Sequence, residues 1–123
     1  MLTVLVADDE FAVLEVLSMA LEGEGHRVLK AGDGADALRI LSGQPCDVIV
    51  CDENMPVMNG HQLIAAVRAE PKLDGTPIIL MADTLGRPLP EIDGTVVLGK
   101  PILLSELFSH VERLGNSKAR RKL

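Results

Sequence analysis

The sequence has no tryptophan, no tyrosine and only two phenylalanines, Phe11 and Phe108. A core drawn from its 123 residues must therefore be aliphatic, and a chain of this length suits a single domain. The shortage of rings also leaves no platform on which the bases of a single-stranded nucleic acid could stack. Long apolar runs are missing too, since none approaches the roughly 18 residues of a membrane span. No basic segment precedes the first apolar run, which meets acid at once in Asp8-Asp9-Glu10, so the N-terminus does not read as a signal peptide. Together these absences point to a cytoplasmic protein that is not in a membrane.

Cysteine is scarce. Cys46 and Cys51 lie five apart around one predicted strand. That odd separation directs them to opposite faces and excludes a mutual disulfide. With no histidine nearby they make a poor metal site and read as core residues. His26, His61 and His110 pair with no nucleophile in the sequence and are expected at the surface. Basic charge is short as well: the net charge is −6, and four of twelve basic groups fall in the closing "SKARRKL". Without those four, eight basic groups face eighteen acidic ones, which argues against a nucleic-acid-binding body. Residues 117–123 are expected to form a disordered basic tail on a domain spanning 1–116.

What the sequence does have is a regular alternation. Five apolar runs of strand length are expected at Thr3–Ala7, Arg27–Ala31, Val48–Cys51, Ile78–Met81 and Val96–Leu98. Between them lie segments of helical period: a stripe of Phe11, Leu14, Leu17 and Leu21 stopped by Gly23 and Gly25, then about Ala35–Leu41, then about Gly60–Ala69. A last amphipathic helix is expected over about Leu103–Leu114. Strands apolar on both sides, alternating with helices, form a parallel sheet covered on both faces. The expected fold is a flavodoxin-like, doubly wound α/β sheet of five strands in the order 2-1-3-4-5. The crossover "DTLGRPLPEIDG" should be short and irregular, at most one helical turn, because each interior proline costs a helix about 3 kcal/mol.

In such a sheet ligands bind beyond the carboxyl ends of the strands, where the order reverses. That places Asp8, Asp9 and Glu10 after strand one beside Asp52 after strand three. Carboxylates so close repel unless a cation sits among them, and oxygen-only ligands favour a hard ion such as Mg²⁺. Lys100, after strand five, brings an ammonium to the same rim. Each residue alone could be a helix cap or turn former; four on one rim are not explained that way. A flavin phosphate would be repelled by the acids, and a haloacid-dehalogenase-type phosphatase would need an Asp-x-Asp pattern that Asp8-Asp9-Glu10 lacks.

From about Leu2 to Leu114 the chain resembles the receiver domain of two-component response regulators. "VLVADDE" resembles the first-strand acid pair, "VIVCDENMPVMNG" the phosphoacceptor motif, and "GKP" the lysine loop; part of the strand-order expectation comes from this resemblance. It implies that Asp52 accepts a phosphoryl group from a sensor histidine kinase or histidine phosphotransfer protein. It implies Mg²⁺ held by Asp9, Asp52 and the backbone carbonyl of Asn54, with Asp8 acting partly through water. Lys100 would bind a phosphoryl oxygen, and Asn54 would border the path of hydrolytic water. The domain would not be an enzyme, although it assists its own phosphorylation and dephosphorylation. It would stand alone and signal to an unknown downstream protein by protein–protein contact.

The departures from the family lie in the switch region. Ala82 stands where receivers place Thr or Ser, and Val97 where they place an aromatic residue. The crossover that follows contains Asp83 and Thr84, with Thr84 a candidate substitute donor. Two readings follow: a receiver that is phosphorylated at Asp52 and switches by an atypical route, or a phosphorylation-independent binding module.

Overall fold

The computed structural model describes residues 1–121. The elements run β1 (Thr3–Ala7), α1 (Phe11–Gly23), β2 (Arg27–Ala31), α2 (Gly34–Gly43), β3 (Val48–Asp52), α3 (Gly60–Ala69), β4 (Ile78–Ala82), β5 (Thr95–Gly99) and α4 (Leu104–Arg121). All strand pairs are parallel and the sheet order is β2-β1-β3-β4-β5, as expected from the sequence. Among the described residues no helix is long and apolar enough to cross a membrane.

Strand alternation divides the core in two. Leu5, Ala7, Ile49, Cys51, Ile78 and Leu80 point to the side covered by α2 and α3, where Ala37, Leu41, Leu63, Ile64 and Val67 meet them. Val4, Val6, Val48, Val50, Ile79 and Met81 point the other way, to Leu14, Leu17 and Leu21 of α1 and Leu107 and Val111 of α4. Both faces of β3 and β4 are therefore closed to water, which is why those strands read as unbroken apolar runs.

Three expectations need correction. Phe11 is 74% exposed, not core. It is the first residue of α1, and helical side chains lean toward the N-terminus, so it projects past the end of the sheet. His26 is buried: its Nδ1 accepts the Leu2 N–H at 3.3 Å and its Nε2 lies 3.2 Å from a Glu112 oxygen of α4. Cys46 and Cys51 are both buried, but in the same apolar cluster. β3 begins at Val48, so strand alternation does not govern Cys46.

Helix α4 runs to Arg121, beyond the Leu114 end suggested by periodicity. The last two residues of the expected basic tail, 122 and 123, lie outside the described residues. The crossover from Asp83 to Gly94 contains turns and no helix, as Gly86, Pro88 and Pro90 in its interior require.

The β3–α3 loop is built by local rules. Asn59 and Gln62 form a reciprocal capping box, each bond 2.9 Å, which starts α3 at Gly60. Val57, just upstream, is 82% exposed with a φ of 66°. A β-branched residue in the left-handed region is strained by about 1–3 kcal/mol. Asparagine tolerates that conformation, so Val57→Asn is expected to stabilise the fold by about 1 kcal/mol, seen as a higher urea midpoint.

Candidate functional site

Parallel pairing of β1 with β3 sets Ala7 beside Cys51, so the next residues, Asp8 and Asp52, emerge together at the carboxyl edge. Carboxylate oxygens of Asp8, Asp9 and Asp52 all lie within 4.8 Å of one another. Asp8 and Asp52 are buried and Asp9 is exposed. The Glu10 N–H donates to Asp8 Oδ1 at 2.9 Å, an Asx-type turn that aims the carboxyl into the crevice. Lys100 reaches the same crevice from the end of β5 and forms an ion pair with Asp52 Oδ1. Its own backbone N–H donates to the Ala82 carbonyl at 2.9 Å, which fixes where the side chain starts.

The electrostatics follow. Burial pushes the Asp8 carboxyl above its usual range; the Glu10 N–H opposes this, while Asp52 and Asp9 push the same way. Burial works to lower the Lys100 pKa, but the hydrogen bond and charge of Asp52, helped by Asp8 and Glu10, outweigh it and the net shift is upward. The ammonium is thus charged throughout the neutral range. A crowd of carboxylates with one charge too many suits a small oxygen-seeking cation, so the donor set fits Mg²⁺.

Because the folded pKa of Asp8 is raised, its ionisation costs stability: the cost is absent at low pH and grows as pH rises above the ordinary carboxyl range. Asp8→Asn is therefore expected to raise the thermal midpoint at pH 7 without metal, and to show less of the further rise expected of the wild type when Mg²⁺ is added. Thermal denaturation with and without Mg²⁺ checks both.

Asn54 is exposed at the start of the β3–α3 loop. Ala82 is fully buried at the tip of β4, paired in register with Gly99, and offers no hydroxyl. Val97 is half-buried in β5 and packs on the α2–α3 side of the core. Asp83 Oδ1 accepts the Leu85 N–H at 2.9 Å and so shapes its own turn. Thr84 turns its methyl toward Gly99: a Cβ there would stand 2.8 Å from Thr84 Cγ2.

Sequence reasoning missed two features beside the site. The first is a groove of about 530 Å³ between α1 and α4, lined by Glu10, Val13, Val16, Lys100, Ile102 and Leu104. Phe11, Val16 and Met19 on the same helix are 74%, 60% and 68% exposed. The second is Glu53, only 5% exposed, whose carboxylate accepts from His61 Nε2 at 2.9 Å and Arg87 Nη2 at 2.8 Å. No local pattern marks either; the only hint was that Arg87 is the single basic residue of the crossover.

The doubly wound sheet, with acids at its reversal point and a lysine facing them, defines the class of flavodoxin-like α/β domains with an acidic carboxyl-edge site. The response regulator receiver domain family matches residues 4–112, and the chain belongs to that family. It is similar to response regulator GtcR of Aneurinibacillus migulanus, 33% identical over 95% of this chain and 46% of that protein. It is also similar to the probable chemotaxis protein CheY of Rhizobium etli, 30% identical over 89% of this chain and 88% of that one. Among solved structures, chemotaxis response regulator CheY4 of Vibrio cholerae superposes with a TM-score of 0.82 at 32% identity, covering 93% of this chain and 98% of that one. The chain thus spans about half the length of a relative such as GtcR and most of the length of the CheY protein. It is a signalling domain of two-component systems.

Proposed function

We propose that the chain is the phosphoacceptor of a histidine-to-aspartate relay, with Asp52 as nucleophile. The observation that carries this reading is the pairing of a buried Asp52 with Lys100 at the switch point, beside two further carboxylates. An Asp52 oxygen attacks the phosphorus of a phosphohistidine on a sensor kinase or phosphotransfer protein. The P–O bond forms as the P–N bond breaks, and the imidazole leaves with the electron pair and takes a proton. Asp8, Asp9, Asp52 and the Asn54 carbonyl would hold Mg²⁺, which supplies positive charge against the phosphoryl oxygens. Lys100 orients one phosphoryl oxygen and offsets its charge. Val13 and Val16 of α1 line the groove that opens onto this crevice, and exposed apolar side chains at a reactive edge suit docking of the donor protein.

Incubation with acetyl phosphate, with and without Mg²⁺, tests the reading. One phosphoryl group should appear by intact mass only with the metal, and its absence in both would sink the proposal. One observation favours a second reading: the tip of β4 brings a buried Ala82 and no hydroxyl to the site. A module read by its partner whatever the state of Asp52 would bind that partner equally well as Asp52→Ala.

A further inference from the structure

Glu53 follows the phosphoacceptor directly in the chain, and its backbone is pinned on both sides. Its N–H donates to the Met81 carbonyl of β4 at 2.9 Å, and its carbonyl accepts the Gly60 N–H of α3 at 3.1 Å. Its side chain, 6% exposed, gathers two side-chain donors from two segments. These are His61 from the first turn of α3 at 2.9 Å and Arg87 from the crossover at 2.8 Å. Burying a carboxylate is costly unless it is paired and hydrogen-bonded, so this arrangement holds its partners in place as firmly as they hold it. Arg87 is the only cation in a crossover that also carries Asp83, Glu91 and Asp93. At its far end the same crossover is tied by Arg68, whose guanidinium donates to the carbonyls of Asp74, Thr76 and Gly94 at 2.6, 2.8 and 3.1 Å. The segment between Arg87 and Gly94 is thus strapped at both ends, and only the Arg87 strap is anchored next to Asp52.

We propose that the Glu53–Arg87 pair is the device that couples the state of Asp52 to the crossover, a positioning contact that replaces the hydroxyl missing at Ala82. It rests on the phosphoacceptor reading. A phosphoryl group carries up to about two negative charges, against one for the free carboxylate. Glu53 is the next residue of the same backbone, held between β4 and α3, and it seats the one cation of the crossover. Added negative charge at Asp52 therefore raises the attraction for a guanidinium already seated on Glu53, and holds the crossover more firmly. By linkage, a crossover already held by Arg87 favours the phosphorylated state to the same extent.

Beryllofluoride with Mg²⁺, a stable substitute for the phosphoryl group, tests this on the intact chain. In the wild type the amides of the crossover are expected to gain protection from hydrogen exchange when beryllofluoride binds. Arg87→Ala should lose that gain and bind beryllofluoride about fivefold more weakly, the lower end of couplings between linked sites. Arg87→Lys should fall between the two, because a point charge keeps the attraction without the fork. The Arg87 side chain is 55% exposed, so its removal is expected to leave the far-ultraviolet spectrum unchanged. Glu53→Gln supplies an independent arm: combined with Arg87→Ala it should weaken binding no further than either alone. Wild-type affinity and a wild-type crossover response in Arg87→Ala, or additive losses in the double variant, overturn the coupling. A wild type that binds no beryllofluoride overturns the phosphoacceptor reading itself.

Discussion

Asp52→Asn is expected to take up no phosphoryl group from acetyl phosphate while keeping the fold, read by intact mass and by circular dichroism. The amide is nearly isosteric with the carboxylate but is not a nucleophile at phosphorus. The position is 3% exposed, so water does not easily substitute for the lost group. The variant also removes one of the three clustered carboxylates, so mutual repulsion at the crevice falls. Its stability without metal is expected to match or exceed that of the wild type, which separates a chemical loss from a folding loss. Labelling that persists at wild-type level in Asp52→Asn would show that another group accepts the phosphoryl. Lys100→Ala, by contrast, leaves the nucleophile in place. It should retain labelling at a reduced rate, because the ammonium offsets charge and does not itself form a bond.

Gly60→Ala is expected to be the most damaging small substitution near the site. A Cβ at this position would stand 2.4 Å from the Asp52 carbonyl oxygen, 2.7 Å from Leu80 Cδ1 and 3.1 Å from Glu53 Cα. Two of those three neighbours are backbone and cannot turn aside, so α3 must shift away from the end of β3. Overpacking of this kind costs about 1–3 kcal/mol, and more where the neighbours are rigid. The urea midpoint should fall by an amount equivalent to about 3 kcal/mol at constant slope. The labelling rate should fall with it, since the displaced segment carries Asp52. An unchanged midpoint would mean that the loop can relax, and that the close approach at Gly60 is not a constraint on the site.

Much of this site was legible because it is built from strand ends. A parallel sheet places residues that follow consecutive carboxyl edges beside each other whatever the intervening loops do. Asp8, Asp9, Asp52 and Lys100 could therefore be brought together from the succession of apolar runs and a strand order drawn in part from the family resemblance. The absence of a helix between β4 and β5 was equally readable, because Gly86, Pro88 and Pro90 act through local backbone geometry. The errors share a different cause. A helical stripe says which residues could face a core, but not where the sheet beneath it stops, so Phe11 was placed inside when it lies outside. His26 precedes a strand and looks exposed until α4 is laid across it and Glu112 meets its ring.

By itself the sequence determined the layered α/β architecture, its strand order, the acidic crevice with its lysine, and the absence of a hydroxyl at Ala82. These follow from local periodicity, turn chemistry and residue identity, with the strand order resting in part on the resemblance to receiver domains. Only the tertiary structure decided that Glu53 is buried and shared by His61 and Arg87, and that α1 leaves apolar side chains open beside the crevice. Glu53 and Arg87 are 34 residues apart, and no periodic pattern spans that separation. The packing of β3, α3 and the crossover brings them together, and the cost of burying the carboxylate alone keeps them so.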